Sequence, residues 1–144
     1  MNPSYAYPVA LEPDDGTILV TFPDVPGAIT FGDDEGDALL RAVDALETML
    51  NSHILVREPI PVPSPAKGRP TVSPTLLGSL KIAIYEAMRG RGWRKADLAR
   101  AMALNPRQID RLLDLRHAST LAQLEAALAA CGKRAVVETT DLAA

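Results

Sequence analysis

Apolar side chains alternate with small or ring-closed ones at the start of the chain. Tyr5, Tyr7, Val9 and Leu11 fall on one side, Ala6, Pro8 and Ala10 on the other, the period of two that a β-strand shows. Pro8 has no amide to donate to a ladder, which makes this an edge strand. Asp14-Asp15-Gly16 is a turn signal, and Ile18, Val20 and Phe22 alternate beyond it. Pro23-Asp24-Val25-Pro26-Gly27 forms a second turn, and Ala28 to Phe31 a short third strand. The period then changes. Leu39, Val43, Leu46 and Leu50 recur at the spacing of one buried helical face. Asp33 and Asp34 are N-caps for that helix and put negative charge where its dipole favours it. Ile54-Leu55-Val56 is expected to return as a final short strand. The pattern predicts an α+β layer in the order β-β-β-α-β, one helix on one sheet.

The segment Glu58 to Pro74 interrupts this pattern with Pro59, Pro61, Pro63, Pro65, Pro70 and Pro74. Proline fixes φ and removes a donor, so the segment is expected as an extended, semi-rigid spacer. Everything beyond it reads as helix. One helix covers about Thr75 to Arg89 and ends at Gly90-Arg91-Gly92. Others cover Lys95 to Met102, Pro106 to Leu115, and Leu121 to Cys131 before Gly132. Ala135 to Thr139 is β-branched enough for a short strand. The expected division is an α/β domain over 1–58, a linker over 59–74 and an all-α domain over 75–144.

Composition narrows the class. The single cysteine, Cys131, rules out an internal disulfide and a multi-cysteine zinc site, and sits in a helical apolar stretch that buries it. Neither a secretory leader nor a long apolar span is present, so the chain is expected in the cytoplasm with no membrane contact. The net charge of −3 conceals a split. Residues 1–60 carry eleven carboxylates against Arg41 and Arg57, whereas residues 81–116 carry nine cations against four carboxylates. Two partners of opposite charge fit such halves.

The basic half has a spacing that carries chemistry. In Lys95 to Asp110, KADLARAMALNPRQID, Leu98 and Ala99 suit a close helix crossing, and Leu104 plugs the turn Ala103-Leu104-Asn105. Asn105 is an N-cap and Pro106 takes the first helical position. Ile109 and Leu112 or Leu113 turn inward, leaving Arg107, Gln108 and Arg111 outward, residue types that bond guanine and adenine edges in a major groove. Arg91, Arg94, Lys95 and Arg100 are placed for phosphates. This spacing resembles the helix-turn-helix of phage-repressor-like (Xre-type) regulators. Ala103 stands where those have glycine, at a cost of around 1 kcal/mol if φ is positive there. Lys95 stands where they have glutamine. The resemblance implies operator duplex DNA as a partner, held by Arg94, Lys95, Asn105, Arg107, Gln108 and Arg111. It also implies a homodimer or higher oligomer, formed through the C-terminal helix or strand.

On residues alone, the first sixty positions form a small acidic domain without an assembled catalytic site. Tyr7-Pro8, the acidic turn, Pro23-Asp24-Val25-Pro26-Gly27, Gly32-Asp33 and the acidic helix start, followed by REPIPVPSP, resemble in order and spacing the HicB antitoxin family over residues 5 to about 65. Ala28 stands where that family often has cysteine or histidine. The resemblance implies a truncated ribonuclease H-like fold without enzymatic activity. It also implies a small basic mRNA-cleaving toxin of the HicA type as partner, and repression of the chain's own operon. Asp24, Asp33, Asp34 and Glu35 are the candidates for touching that toxin, since an acidic surface speeds encounter with a basic one.

Other readings fare worse. The aspartates fall mostly in turns, where they serve local hydrogen bonding, and do not define a divalent-metal nuclease site. His53 and His117 have no ligand or nucleophile at a useful spacing. No catalytic residue, metal or cofactor is assigned. Trp93 is expected to anchor the helical core. The alternative reading is a stand-alone helix-turn-helix regulator whose N-terminal domain senses a small molecule.

Overall fold

The computed structural model describes residues 5–142. The elements run β1 (Tyr7–Pro8), β2 (Ala10–Asp14), β3 (Thr17–Thr21), β4 (Ile29–Gly32), α1 (Glu35–Leu55), β5 (Thr71–Val72), α2 (Leu76–Gly90), α3 (Lys95–Met102), α4 (Pro106–Leu113) and α5 (Leu121–Ala130). The class is mixed α+β, as the pattern of periods implies.

β2, β3 and β4 form an antiparallel sheet in that order. Its register puts Leu11, Val20 and Thr30 on one face, and Glu12, Leu19 and Phe31 on the other. α1 covers the first face. Asp34 caps it by accepting from Asp37 N. Leu46 and Leu50 of the expected stripe are buried, with Ala38, Ala42 and Ile54, while Leu39 and Val43 are half-buried and the alanines one position earlier take the core side. At the start of the helix the reason is Gly32. A Cβ there would lie 2.4 Å from Ala38 N, so strand and helix approach so closely that only small residues fit at the crossing.

Three expected strands are corrected. The first run is broken at Val9 into β1 and β2. Ile54-Leu55-Val56 does not return as a strand, because α1 runs through Leu55 with Val56 as its C-cap. Burial of Ile54 four residues after Leu50 overrides its local β preference. Ala135 to Thr139 forms no strand: the segment is exposed throughout and pairs with no strand among the described residues. The strand that does follow α1 is β5, inside the proline-rich segment, where Val72 pairs with Tyr7 and Thr71 with Pro8.

That segment is not a free spacer. Its carbonyls accept where its prolines cannot donate. Tyr7 OH donates to Pro61 O (2.6 Å) and Tyr85 OH to Glu58 O (2.6 Å). Ile60, Val72 and Pro74 are buried. Apolar side chains between the prolines need cover, and folding the segment onto the body supplies it.

α1 has a second, polar side that receives the helical half. Arg116 Nη1 donates to Asp44 Oδ1 (2.6 Å), Glu47 Oε2 accepts from Thr75 N (2.9 Å) and Thr75 Oγ1 (2.7 Å), and Asn51 Oδ1 accepts from Leu115 N (3.0 Å). These positions are spaced three and four apart, one face of a helix. α2 to α5 close their own core with Ile82, Leu98, Ile109, Leu112, Leu124 and Leu128, and Cys131 is buried there. The apolar cluster is continuous across both halves. Among the described residues no helix is long and apolar enough to cross a membrane.

Candidate functional site

α3 and α4 are two eight-residue helices joined by Ala103-Leu104-Asn105. Ala103 ends α3 at φ +54° and ψ +43°, the left-handed region that its position demands without the glycine that would suit it. Leu104 is half-buried between the helices, and its N–H donates to Ala99 O (3.0 Å). Asn105 caps α4 reciprocally with Gln108: each backbone N–H donates 2.9 Å to the other's side-chain oxygen. Ile109, Leu112 and Leu113 are buried, which turns Arg107, Gln108, Asp110 and Arg111 outward.

The side chains expected to meet DNA fall into two groups. Arg107 and Arg111 are exposed, and neither makes an ion pair among the described residues. Arg94, the N-cap of α3, is exposed as well, its backbone N–H donating to Asp97 Oδ2 (2.8 Å). The side-chain oxygens of Asn105 and Gln108, by contrast, are taken up by each other's backbone N–H. Lys95 Nζ, half-buried, donates to Asp110 Oδ1 (2.7 Å) and ties the start of α3 to α4. Beside it an open cleft of about 370 Å³ brings Arg57 from the end of α1 and Arg89 from α2 next to Arg94, Lys95 and Trp93. Trp93 is half-buried, with the Arg91 guanidinium 5.0 Å from its ring centre.

Lys81 holds the other end of α4. It is fully buried. Its Nζ donates to Arg111 O (2.7 Å), Asp114 O (2.8 Å) and Ser119 Oγ (2.9 Å), three acceptors for three protons, where a helix C-terminus favours a cation. Burial pushes the ammonium down to about 8. The sequence carried a signal for it: Leu77, Lys81, Ile84 and Met88 lie at the spacing of an apolar face, and a lysine there needs acceptors.

The acidic residues gather by register. Asp14 pairs with Thr17 at the β2–β3 turn, and Ile18 pairs with Gly32 just before Asp33. The turn carboxylates Asp14 and Asp15 therefore share one end of the sheet with Asp33, Asp34 and Glu35, though half the domain separates them in sequence. Asp33 and Glu35 are exposed, and neither forms an ion pair among the described residues. Asp34 is exposed but caps α1, and Asp37 pairs with Arg41 (3.1 Å). Asp24 is engaged elsewhere: its two oxygens accept from Ser64 N and Ser64 Oγ, each at 2.7 Å, and these bonds hold its carboxyl below the usual carboxylate range.

Neither histidine joins a cluster. His53 Nδ1 lies 2.8 Å from Met49 O, and His117 is exposed. Among the described residues no group of three histidine, cysteine or acidic side chains is placed to hold a metal ion.

Known proteins agree with the acidic α/β half and extend beyond it. Residues 6–83 match the family described as HicB_like antitoxin of bacterial toxin-antitoxin system. The chain is 35% identical over 133 residues to Antitoxin HicB 2 of Photorhabdus laumondii, covering 92% of this chain and 95% of that protein. It is 32% identical over 129 residues to Antitoxin HicB of Escherichia coli, covering 88% and 94%. With Antitoxin HicB of Pseudomonas fluorescens the identity is 28% over 132 residues, 90% of each. These likenesses run through the proline-rich segment and into the helical half, and with them the chain belongs to the HicB-like antitoxin family of bacterial toxin–antitoxin systems.

Proposed function

We propose that this chain binds and silences a small basic, mRNA-cleaving toxin of the HicA type with its acidic α/β half, and represses its own operon by binding operator DNA with α3 and α4. The arrangement of α3 and α4 carries the second task. A three-residue connection with a left-handed Ala103, an apolar plug and a doubly capped second helix supports reading the pair as a helix-turn-helix. Its exposed side presents Arg107 and Arg111, and nearby Arg94 and the cleft's Arg57 and Arg89 supply positive charge for phosphates. Two such helices are needed to read an operator of ordinary length, so the chain acts on DNA as a dimer.

Fluorescence anisotropy with a duplex of the chain's own promoter tests the DNA arm. Tight binding that weakens steeply with salt is expected, and binding no stronger than to a scrambled duplex overturns it. Coexpression with the toxin tests the other arm. Growth rescue and a stable complex are expected, and their absence overturns it.

A further inference from the structure

The sheet gives α1 one face and leaves the other without a covering element among the described residues. On that outer face the register aligns Leu19 with Phe31 and Thr21 with Ile29, next to Ala10 and Glu12 of β2. Ile29 is 56% exposed and Phe31 57%. β4, which carries both, is an edge strand with β3 on one side only. Edges that must stay unpaired are usually blunted by lysine, proline or a bulge. Ile29-Thr30-Phe31-Gly32 has neither lysine nor proline. An aromatic and a β-branched side chain bare on an open edge mark a surface that meets another molecule.

The charge around the patch says which kind. Glu12 stands on the face itself, opposite Leu19, and Asp14, Asp15, Asp33 and Glu35 crowd the end of the same sheet. A second copy would bring the same face, which carries Glu12 and no cation, and so gains nothing from the charge. A cationic partner gains from the same arrangement. We propose that the outer face of β2, β3 and β4, centred on Ile29 and Phe31, is the seat of the basic toxin, with Glu12, Asp33 and Glu35 as its charged rim. Apolar side chains of the toxin cover Phe31, and its lysines and arginines reach the rim. The inference rests on the antitoxin reading above and adds the place and chemistry of contact: apolar burial supplies the affinity, and the carboxylates supply the speed of encounter.

The test titrates an inactivated HicA-like toxin into the full-length chain by calorimetry. The Ile29→Ser, Phe31→Ser double variant is expected to bind about 100-fold more weakly, with operator binding unchanged. In stopped-flow mixing, the Glu12→Gln, Asp33→Asn, Glu35→Gln variant is expected to associate roughly ten-fold more slowly and to lose salt dependence, with dissociation unaltered. Should the double variant fail to fold, hydrogen exchange on the wild-type chain decides: amides of residues 29–32 are expected to gain protection when toxin is added. Full-strength binding by the folded double variant overturns the inference, as does unchanged exchange in β4. A fall in the free chain's own oligomeric size on substituting Phe31, measured by light scattering, overturns it in favour of a second copy. A wild-type chain that binds no toxin overturns the antitoxin reading itself.

Discussion

The acidic sheet end and the basic helical half treat charge in opposite ways. Around the sheet, Glu12, Asp14, Asp15, Asp33 and Glu35 make no ion pair among the described residues, and repel one another across a short distance. In the helical half, Lys81, Arg89, Lys95 and Arg116 are tied to acceptors, as is Arg100 to Asp97, while the side chains of Arg94, Arg107 and Arg111 stand outward without one. The sheet end leaves its charge without a counter-ion, and the helical half spends much of its charge on holding itself together. Mutual repulsion costs stability unless a partner relieves it, so the sheet end reads as a surface for something outside. The helical half shows that a count of cations overstates how many are available to a duplex.

Substituting a frame-holding cation should be the severest test of that contrast. Lys81→Met takes a charged donor from three acceptors at the end of α4, and should cost about 3 kcal/mol in urea unfolding. Lys81 also sets a pH dependence. Its folded value lies below the ordinary lysine value, so above about pH 8 the unfolded chain binds the proton that the folded chain has lost. Stability attributable to Lys81 should therefore rise with pH from about 8 up to the ordinary lysine range, and level off beyond it. A Lys81→Met variant with the wild-type slope of Tm against pH between 8 and 10 would contradict the assignment.

Next in size is Glu47→Ala, which removes the acceptor shared by Thr75 N and Oγ1 and should cost about 2 kcal/mol. Loss below about 0.5 kcal/mol would mean that water replaces the carboxylate without penalty. Arg111→Ala should cost about 1.5 kcal/mol in operator affinity, leaving the unfolding midpoint and toxin binding alone. A change in midpoint as large as that for Glu47→Ala would place Arg111 with the frame instead of the reading surface. The smallest effect is expected at the turn. Ala103→Gly relieves the left-handed strain against a larger unfolded entropy, for a net gain of roughly 0.5 kcal/mol, read as a slightly higher Tm. A lower Tm would show that the alanine methyl packs usefully.

Local rules made the helical half legible. Thr75, Asn105 and Thr120 sit where capping chemistry requires them, and α3 begins and ends at the residues its pattern indicates. At Ala103 the pattern poses a condition, an alanine where glycine is usual, and the structure answers it with a left-handed φ. What escaped was non-local. Nothing near Asp24 announces Ser64, forty residues on. Asn105 reads in the sequence as an N-cap and Gln108 as a base contact, but a three-residue spacing between an N-cap and a glutamine is also a reciprocal cap, and the free chain uses it so. Among the toxin candidates, charge was visible and the bare Ile29 and Phe31 were not. A four-residue strand shows alternation but not which face a helix will cover. Proline content correctly excluded helix from residues 59–74 and said nothing of the apolar side chains between, which bind the segment to the body.

The polar stripe of α1 fixes more than it stabilises. Because Asp44, Glu47 and Asn51 seat the helical half directly on the helix that backs the sheet, the distance from sheet to α4 is set by a docked joint and not by the covalent tether. Lengthening the chain between Pro63 and Gly68 should therefore leave the span between the two surfaces as it is, so that their separation is written into α1.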